Sequence, residues 1–571
     1  MATKYFCYCI GGTGARIAEV AAHLYAMNMI NAAATDEIEF IIVDKDQACG
    51  GTQQARRVIG SVRTLSPGGA FNRSGRLNGN NAREFCKNHI NVNADWDFTR
   101  ALARLRAGNG GGQNAGKISL KDAVSRTNNN DDKVLMNAFY TQQEQTIDTD
   151  KGFYGDPSVG SLIFKYMVKN DGNQNDIANP VTGWLEQNPN AGDEARVFII
   201  GSIFGGTGAA IFSNLAAHLR DSANGGKLFI SGVLLLPYFS FGDGGQKAKV
   251  NSAEFFKKSK VALDEYDRDL NLIRTVENPN GSFDSLYVCG QDECHMTSEN
   301  YADGGKNQNN HFDLVDLVAA RAMVDFFNKD FPVNNDGQIV GLGKIYEYRF
   351  GQHTNTAKAV IEPEDILELS GKMKQMLLFS AFVVTRVYGQ YLLNKNNSKD
   401  FYNNVEMIRR LFDQNEIIGR NNKYDDVIAA NSPRSVYLYC REYIRLAYDI
   451  AKNGYNWQKN IVNDAYNLFS ENYTGALLNI CNAIDDYADE KAEDLTKIID
   501  DFINSEQKIY EGEEKPKKTI DSVGGELGAI FGIGGLPLNK ISKVYHGNNA
   551  TPPEARFMDY IHEAYRACQD V

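Results

Sequence analysis

The chain of 571 residues is longer than one hydrophobic core fills, and at roughly 150 residues per domain it should hold two to four. With 43% hydrophobic and 23% charged residues its composition is globular, which excludes extensive disorder and leaves the Asn- and Gly-rich runs as loops. A net charge of -12 with no basic stripe excludes a protein that coats nucleic acid, and no apolar run approaches the roughly 20 residues that cross a bilayer.

The N-terminus lacks the apolar core and small-residue cleavage site of a secretory signal, which predicts a cytoplasmic protein. Residues 4–10 read as a buried strand, Gly11-Gly12-Thr13-Gly14 as a turn, and residues 15–27 as a helix. A second strand, 39–43, ends at Asp44. Between about 54 and 149 the pattern dissolves into Asn- and Gly-rich sequence, read as a partly helical insertion. A third strand, 196–200, runs into a second glycine loop and a helix over 209–219, and a fourth strand covers 228–236. Strands separated by helices predict an α/β fold with a parallel sheet, helices on both faces and ligands at the carboxyl ends of the strands.

From about residue 362 onward the reading is helical, with candidates at 364–393, 435–450 and 476–509, a charged linker at 511–518 and a short final helix at 553–569. The acidic face of 476–509 reads as a solvated surface. Cys7 and Cys9 fit an apolar strand as small core residues, and Cys289 and Cys294 lack partners at zinc-ligand spacing, so spacing alone predicts no metal-ligating residue.

A glycine loop between strand and helix lets backbone N–H groups approach a phosphate at the positive end of the helix dipole. Gly11, Gly12, Thr13 and Gly14 form one such loop, and Gly205, Gly206, Thr207 and Gly208 form another. A dinucleotide site with Asp44 on the ribose competes, although Ile17 stands where its third glycine belongs. A Walker A loop is absent, because none of Gly116-Lys117, Gly226-Lys227, Gly343-Lys344 or Gly371-Lys372 is followed by Ser or Thr.

Two such loops in one sheet call for a joint explanation. The stretch Phe204-Gly205-Gly206-Thr207-Gly208-Ala209-Ala210 resembles the G-G-G-T-G-[ST]-G signature of the tubulin/FtsZ superfamily, with Phe for its first glycine and Ala at its last two positions. Gly152 to Gly160 is similar to the FtsZ phosphate loop, and Leu236-Pro237-Tyr238-Phe239-Ser240-Phe241 to the segment beside the ribose. Phe283 to Asp292 is similar to a base-contacting strand, and His311-Phe312-Asp313-Leu314-Val315-Asp316 to the start of the central helix. With Asp44, which falls where the superfamily places a short polar loop, these make six segments in family order over roughly residues 4–340 apart from the insertion.

The resemblance implies a tubulin/FtsZ-like nucleotide-binding domain over 1–330, a helix-rich second domain over 331–510 and a linker with a helical tail over 511–571. It implies GTP or GDP with Mg2+, with phosphates held by the two glycine loops and by Gly155, Asp156 and Gly160. Asp44 would contact nucleotide and metal, Asp243 would replace the ribose-side glutamate, and Gln291 would replace the base-contacting Asn. Phe312 would stack on the base while Asp316 reads guanine, whose N1–H and N2–H₂ suit a carboxylate. Head-to-tail self-assembly would bring Asn334 and Asp336 to the neighbouring subunit's γ-phosphate, with Ile339 at the second acidic position of that motif.

The function implied is a prokaryotic or phage tubulin-like GTPase forming cytoskeletal filaments. A second reading is a non-polymerising tubulin-like subunit that controls a protein partner through residues 362–571, for example in bacterial defence. A third is a dinucleotide-dependent oxidoreductase.

Overall fold

In a computed structural model of the chain, the described residues are 3–30, 37–46, 48–65, 89–92, 119–125, 130–147, 153, 156–170, 176–190, 192–223, 227–241, 254–290, 297–299, 305–308, 310–332, 339, 341–347, 349–350, 360–361, 372–373, 376, 380, 439–447 and 449–450. The apolar run of β1 (Thr3–Ile10) leads directly into α1 (Gly11–Ala26), followed by β2 (Glu37–Val43), α2 (Gly50–Leu65) and β3 (His89–Val92). Four helices follow: α3 (Leu120–Ser125), α4 (Asn130–Phe139), α5 (Gln142–Gln145) and α6 (Pro157–Asn170). Next come α7 (Asn179–Gln187), β4 (Glu194–Ser202), α8 (Gly206–Ser222), β5 (Lys227–Leu235) and β6 (Phe239–Phe241). Among the described residues there follow α9 (Phe255–Arg268), β7 (Ser285–Cys289), β8 (Thr297–Glu299), α10 (Leu314–Asn328), β9 (Lys344–Glu347), β10 (Arg349–Phe350) and β11 (Val360–Ile361).

Seven strands form one sheet in the order β3-β2-β1-β4-β5-β7-β9, with every neighbour parallel. β1, β4 and β5 are buried nearly end to end, which is why they read as continuous apolar runs rather than alternating ones. From β1 the chain steps one way, to β2. From β4 it steps the other way, to β5. Right-handed crossovers therefore put α1 and α8 on opposite faces. α1 packs against α2 and α10, and α8 against α6 and α7. The strand order reverses between β1 and β4, where an open α/β sheet leaves a crevice at its carboxyl edge.

The predicted α/β architecture is the observed one, with several shifted boundaries. Gly11 to Gly14 are not a separate turn but the first turn of α1, and α8 begins at Gly206 rather than at 209. Once Gly11 takes its positive φ of 70° the chain has already turned off the strand, so nothing delays the helix. Within the stretch 54–149, α2 packs on α1 and β3 pairs with β2, so part of that segment completes the sheet. β9, whose four residues are mostly exposed, had no apolar signature to betray it. Residues 439–447 and 449–450 are helical, in agreement with the 435–450 helix. The candidates at 476–509, 511–518 and 553–569 lie outside the described residues.

Candidate functional site

Both glycine loops end at the switch point. A methyl group placed on Gly11 would lie 3.5 Å from Thr207 Cβ and 3.6 Å from the Gly208 backbone nitrogen, so the start of α1 abuts the start of α8. Two glycines are required by packing. A methyl on Gly14 would stand 2.8 Å from the Cys9 carbonyl carbon, and one on Gly208 would stand 2.8 Å from both the nitrogen and the oxygen of Ser202. Gly12, Thr13, Gly205 and Gly206 are partly exposed and form the tips of the loops. Neither α1 nor α8 has a side-chain cap or an acidic residue in its first turn. Two adjacent helix N-termini without carboxylates present N–H groups and positive dipole ends, a donor set suited to an anion such as a di- or triphosphate.

The loop after β2 borders this crevice: a methyl on Gly12 would lie 3.6 Å from Cys49 Sγ. Asp44, at the end of β2, is buried and accepts from Thr52 Oγ1 at 2.8 Å and from the Asp46 backbone N–H at 3.2 Å. Burial pushes its pKa up to about 6 despite these two hydrogen bonds. Asp46 accepts from the Gly305 N–H at 2.6 Å, fixing the short turn Gly305–Asn307 over the same loop.

A third component converges from the start of α10. Arg16, one turn into α1, pairs through Nε with Asp316 Oδ2 at 3.0 Å and donates to the His311 carbonyl at 3.3 Å and to the Tyr238 hydroxyl. Tyr238 in turn donates to Asp316 Oδ1 at 2.6 Å. Asp316 also accepts from the Asp313 N–H at 2.9 Å and so completes the capping box of α10. All three side chains are buried, and the guanidinium lies over the rings of Tyr238 and Phe239 at 5.5 and 5.4 Å. Burial pushes the Asp316 carboxyl up, an effect that Arg16 and the Tyr238 hydroxyl oppose.

Residues 157–378, less than half of the chain, match the family model described as tubulin like. The matched region is tubulin-like and sits within an α/β fold. The match runs from α6 past β9 and so contains the second glycine loop and α10. No curated protein and no solved structure matches the chain.

The structure brings Gly11, Gly12, Thr13 and Gly14 next to Gly205, Gly206, Thr207 and Gly208, with Asp44 at the adjoining end of β2. Four other expected ligands are engaged within the fold. Asp156 Oδ1 accepts from the backbone N–H groups of Ser158 and Val159 and from the Ser158 hydroxyl, so this carboxylate caps α6. Gly160 lies between helices: a methyl there would meet Ala210 Cβ and a Phe153 ring carbon, each at 2.6 Å, so its smallness lets α6 approach α8. Asp316 is not an open carboxylate, because Arg16, Tyr238 and the α10 cap already use it, and Phe312 is 4% exposed. Gly155, Asp243, Gln291, Asn334 and Asp336 lie outside the described residues.

Three residues of the arrangement escaped sequence reasoning. Arg16 was the one cation in an otherwise apolar helix start, a usable signal. Tyr238 sat inside a motif read for its phenylalanines. Asp449 accepts from the Phe312 N–H at 3.2 Å and lies 3.0 Å from His311 Nδ1, a contact across 138 positions that no local pattern foretells. The described cysteines Cys7, Cys9, Cys49, Cys289 and Cys440 are all buried. Among the described residues no helix is long and apolar enough to cross a membrane, and no three His, Cys, Asp or Glu side chains gather as a metal cluster.

Proposed function

We propose that the tubulin-like domain binds GTP and GDP with Mg2+ and is a cytoplasmic GTPase active in head-to-tail filaments of this chain. The observation that carries this reading is the meeting of two uncapped, glycine-rich helix N-termini at the point where the strand order reverses. The backbone N–H groups of Gly12, Thr13, Gly206 and Thr207 hold the phosphates. Asp44, at the adjoining end of β2, supplies one carboxylate toward the metal or the ribose in this reading. A Mg2+ held there by Asp44 and the phosphates would neutralise phosphate charge. Hydrolysis requires only that an attacking water be oriented, and Asp336 with Asn334 of an adjoining copy takes that role in this reading.

The test is sedimentation of the full chain with and without GTP at several concentrations, with phosphate release followed in parallel. Concentration-dependent pelleting, with hydrolysis lost in Asp336→Ala, is the expected result. Saturable GTP binding without pelleting would replace it with the second reading, a nucleotide-gated subunit acting on a protein partner. One observation favours that alternative: the helical residues 439–450 grip the opening of α10 through Asp449, so nucleotide state has a route to the C-terminal part. Preferential binding of NAD would favour the oxidoreductase.

A further inference from the structure

α9 carries most of its charges in the order that its own dipole disfavours. Lys257, Lys258 and Lys260 stand toward its positive end and Asp264, Glu265 and Asp267 toward its negative end, with only Glu254 and Arg268 at the extremes placed favourably. Phe255 and Ser259 are buried, and Ala262, Leu263 and Tyr266 pack against the core. Outward lies one stripe at spacings of three and four: Glu254, just before the helix, then Lys257, Lys258, Val261, Asp264, Glu265 and Arg268, all exposed. At about 100° per residue they fall within about 60° of Val261 on the helix surface. Val261, 58% exposed, is the apolar centre of the stripe. Among the described residues the ion pairs of the stripe are Glu254 with Lys258 at 3.6 Å and Glu265 with Arg268 at 3.3 Å, both between exposed side chains and therefore worth little within one copy.

The stripe is antisymmetric in charge about Val261. Glu254 and Arg268 are equally far from it in the chain, as are Lys257 and Glu265, and Lys258 and Asp264, and each pair is of opposite sign. We propose that α9 is the contact of a two-fold symmetric dimer of this chain, in which the stripes of two copies lie antiparallel with Val261 against Val261 on the axis. That register sets every charge of one stripe opposite a counter-charge on the other: Glu254 with Arg268, Lys257 with Glu265 and Lys258 with Asp264. A parallel pairing in register opposes like charges at all of these positions, so the sign pattern selects orientation as well as partner. An isologous contact closes on itself and stops at two copies. One helix face makes a small interface, so the dimer is weak, and salt weakens it further by screening the exposed charges. The contact uses neither glycine loop and stands apart from the nucleotide reading. Where copies are already aligned in filaments it joins two of opposite polarity, and many weak contacts then add.

The test is sedimentation velocity of the full-length chain without nucleotide over a concentration series, at about 0.05 M and about 0.5 M salt. The native chain is compared with Lys257→Glu/Lys258→Glu, with Asp264→Lys/Glu265→Lys and with an equimolar mixture of the two variants. Both variants place their charges as the helix dipole favours, so their melting temperatures should match or exceed that of the native chain, and loss of the dimer is not loss of the fold. The expected result is a native dimer that dissociates at the higher salt, self-association weakened at least about tenfold in each variant alone, and recovery in the mixture, where every stripe again meets its opposite. A native chain that stays monomeric throughout the series at low salt, variants that dimerise as the native chain does, or a mixture that does not recover would each overturn the proposal.

Discussion

Individual glycines in the two loops do different work, and the distances around them say which. Gly208 has no room for a side chain, since a methyl would press on backbone atoms of Ser202 that cannot yield. Gly208→Ala should therefore lower stability by about 1–3 kcal/mol, the usual range for overpacking, read as a drop in melting temperature. Gly12 meets only Cys49 Sγ, at ordinary contact distance. Gly12→Ala should melt like the native protein yet bind GTP more weakly, and a fall in melting temperature as large as that of Gly208→Ala would refute the distinction. At this scale the sequence was informative about backbone and mute about pairing. Glycines after a strand announce themselves, but Arg16 and Asp316 are brought together only by the packing of α1 on α10. The carboxylate that looked open in the sequence is therefore engaged in the structure.

The contact between α1 and the helical residues 439–447 makes the strongest prediction at the scale of elements. Gln54 on α2 donates to Glu19 on α1 at 3.2 Å and to Glu442 at 3.0 Å. Burial, with Glu442 close by, pushes the Glu19 pKa up to about 8. Burial would raise Glu442 too, but Arg441, Arg445 and Arg57 outweigh it and hold the group below its ordinary value. His23, one turn along α1, packs between the rings of Tyr439 and Tyr443 at 5.0 and 5.2 Å, and burial lowers its pKa to about 3.

The two groups act in opposite directions. Glu19 has a folded pKa above its unfolded one, so its contribution is complete below about pH 4.5 and is lost as pH rises toward 8. His23 has a folded pKa below its unfolded one, so its contribution is complete above about pH 6.5 and is lost as pH falls toward 3. Melting temperature against pH should accordingly rise at the alkaline end for Glu19→Gln and at the acid end for His23→Phe, relative to the native curve. Unchanged slopes in both variants would show that this interface is not formed in solution.

Asp449 ties the same helix to the start of α10. Asp449→Ala leaves the Phe312 N–H without its acceptor and should cost about 1–3 kcal/mol locally, seen as faster hydrogen exchange at residues 311–312 and 439–447. Exchange as slow as in the native chain would contradict the tie. The helix was legible as an element because its apolar spacing is local. Its docking was not, since buried Glu442 and Asp449 look in sequence like ordinary solvent-facing charges.

For the molecule as a whole, the legible part is the one written in strand, glycine and helix units. β1, β2, β4 and β5 with the loops that follow β1 and β4 could be read because each is a buried apolar run ending in glycine, aspartate or proline. What they could not give was order across the sheet. That order makes the two loops neighbours, and it depends on parallel pairings such as Cys9 with Ile200 that span nearly two hundred residues. The edge was equally hidden, since β3 lies in Asn- and Gly-rich surroundings and β9 is mostly polar.

The central claim is that the crevice between β1 and β4 holds the phosphates of a guanine nucleotide. The most direct measurement is equilibrium titration of the full chain with GTP, GDP, ATP and NAD in the presence of Mg2+, repeated on Gly12→Asp, which sets a carboxylate among the N–H donors. The account predicts saturable binding of GTP and GDP, much weaker binding of ATP and NAD, and loss of the guanine nucleotides in the variant. Equal binding by the variant, or tighter binding of NAD than of GTP, would contradict it.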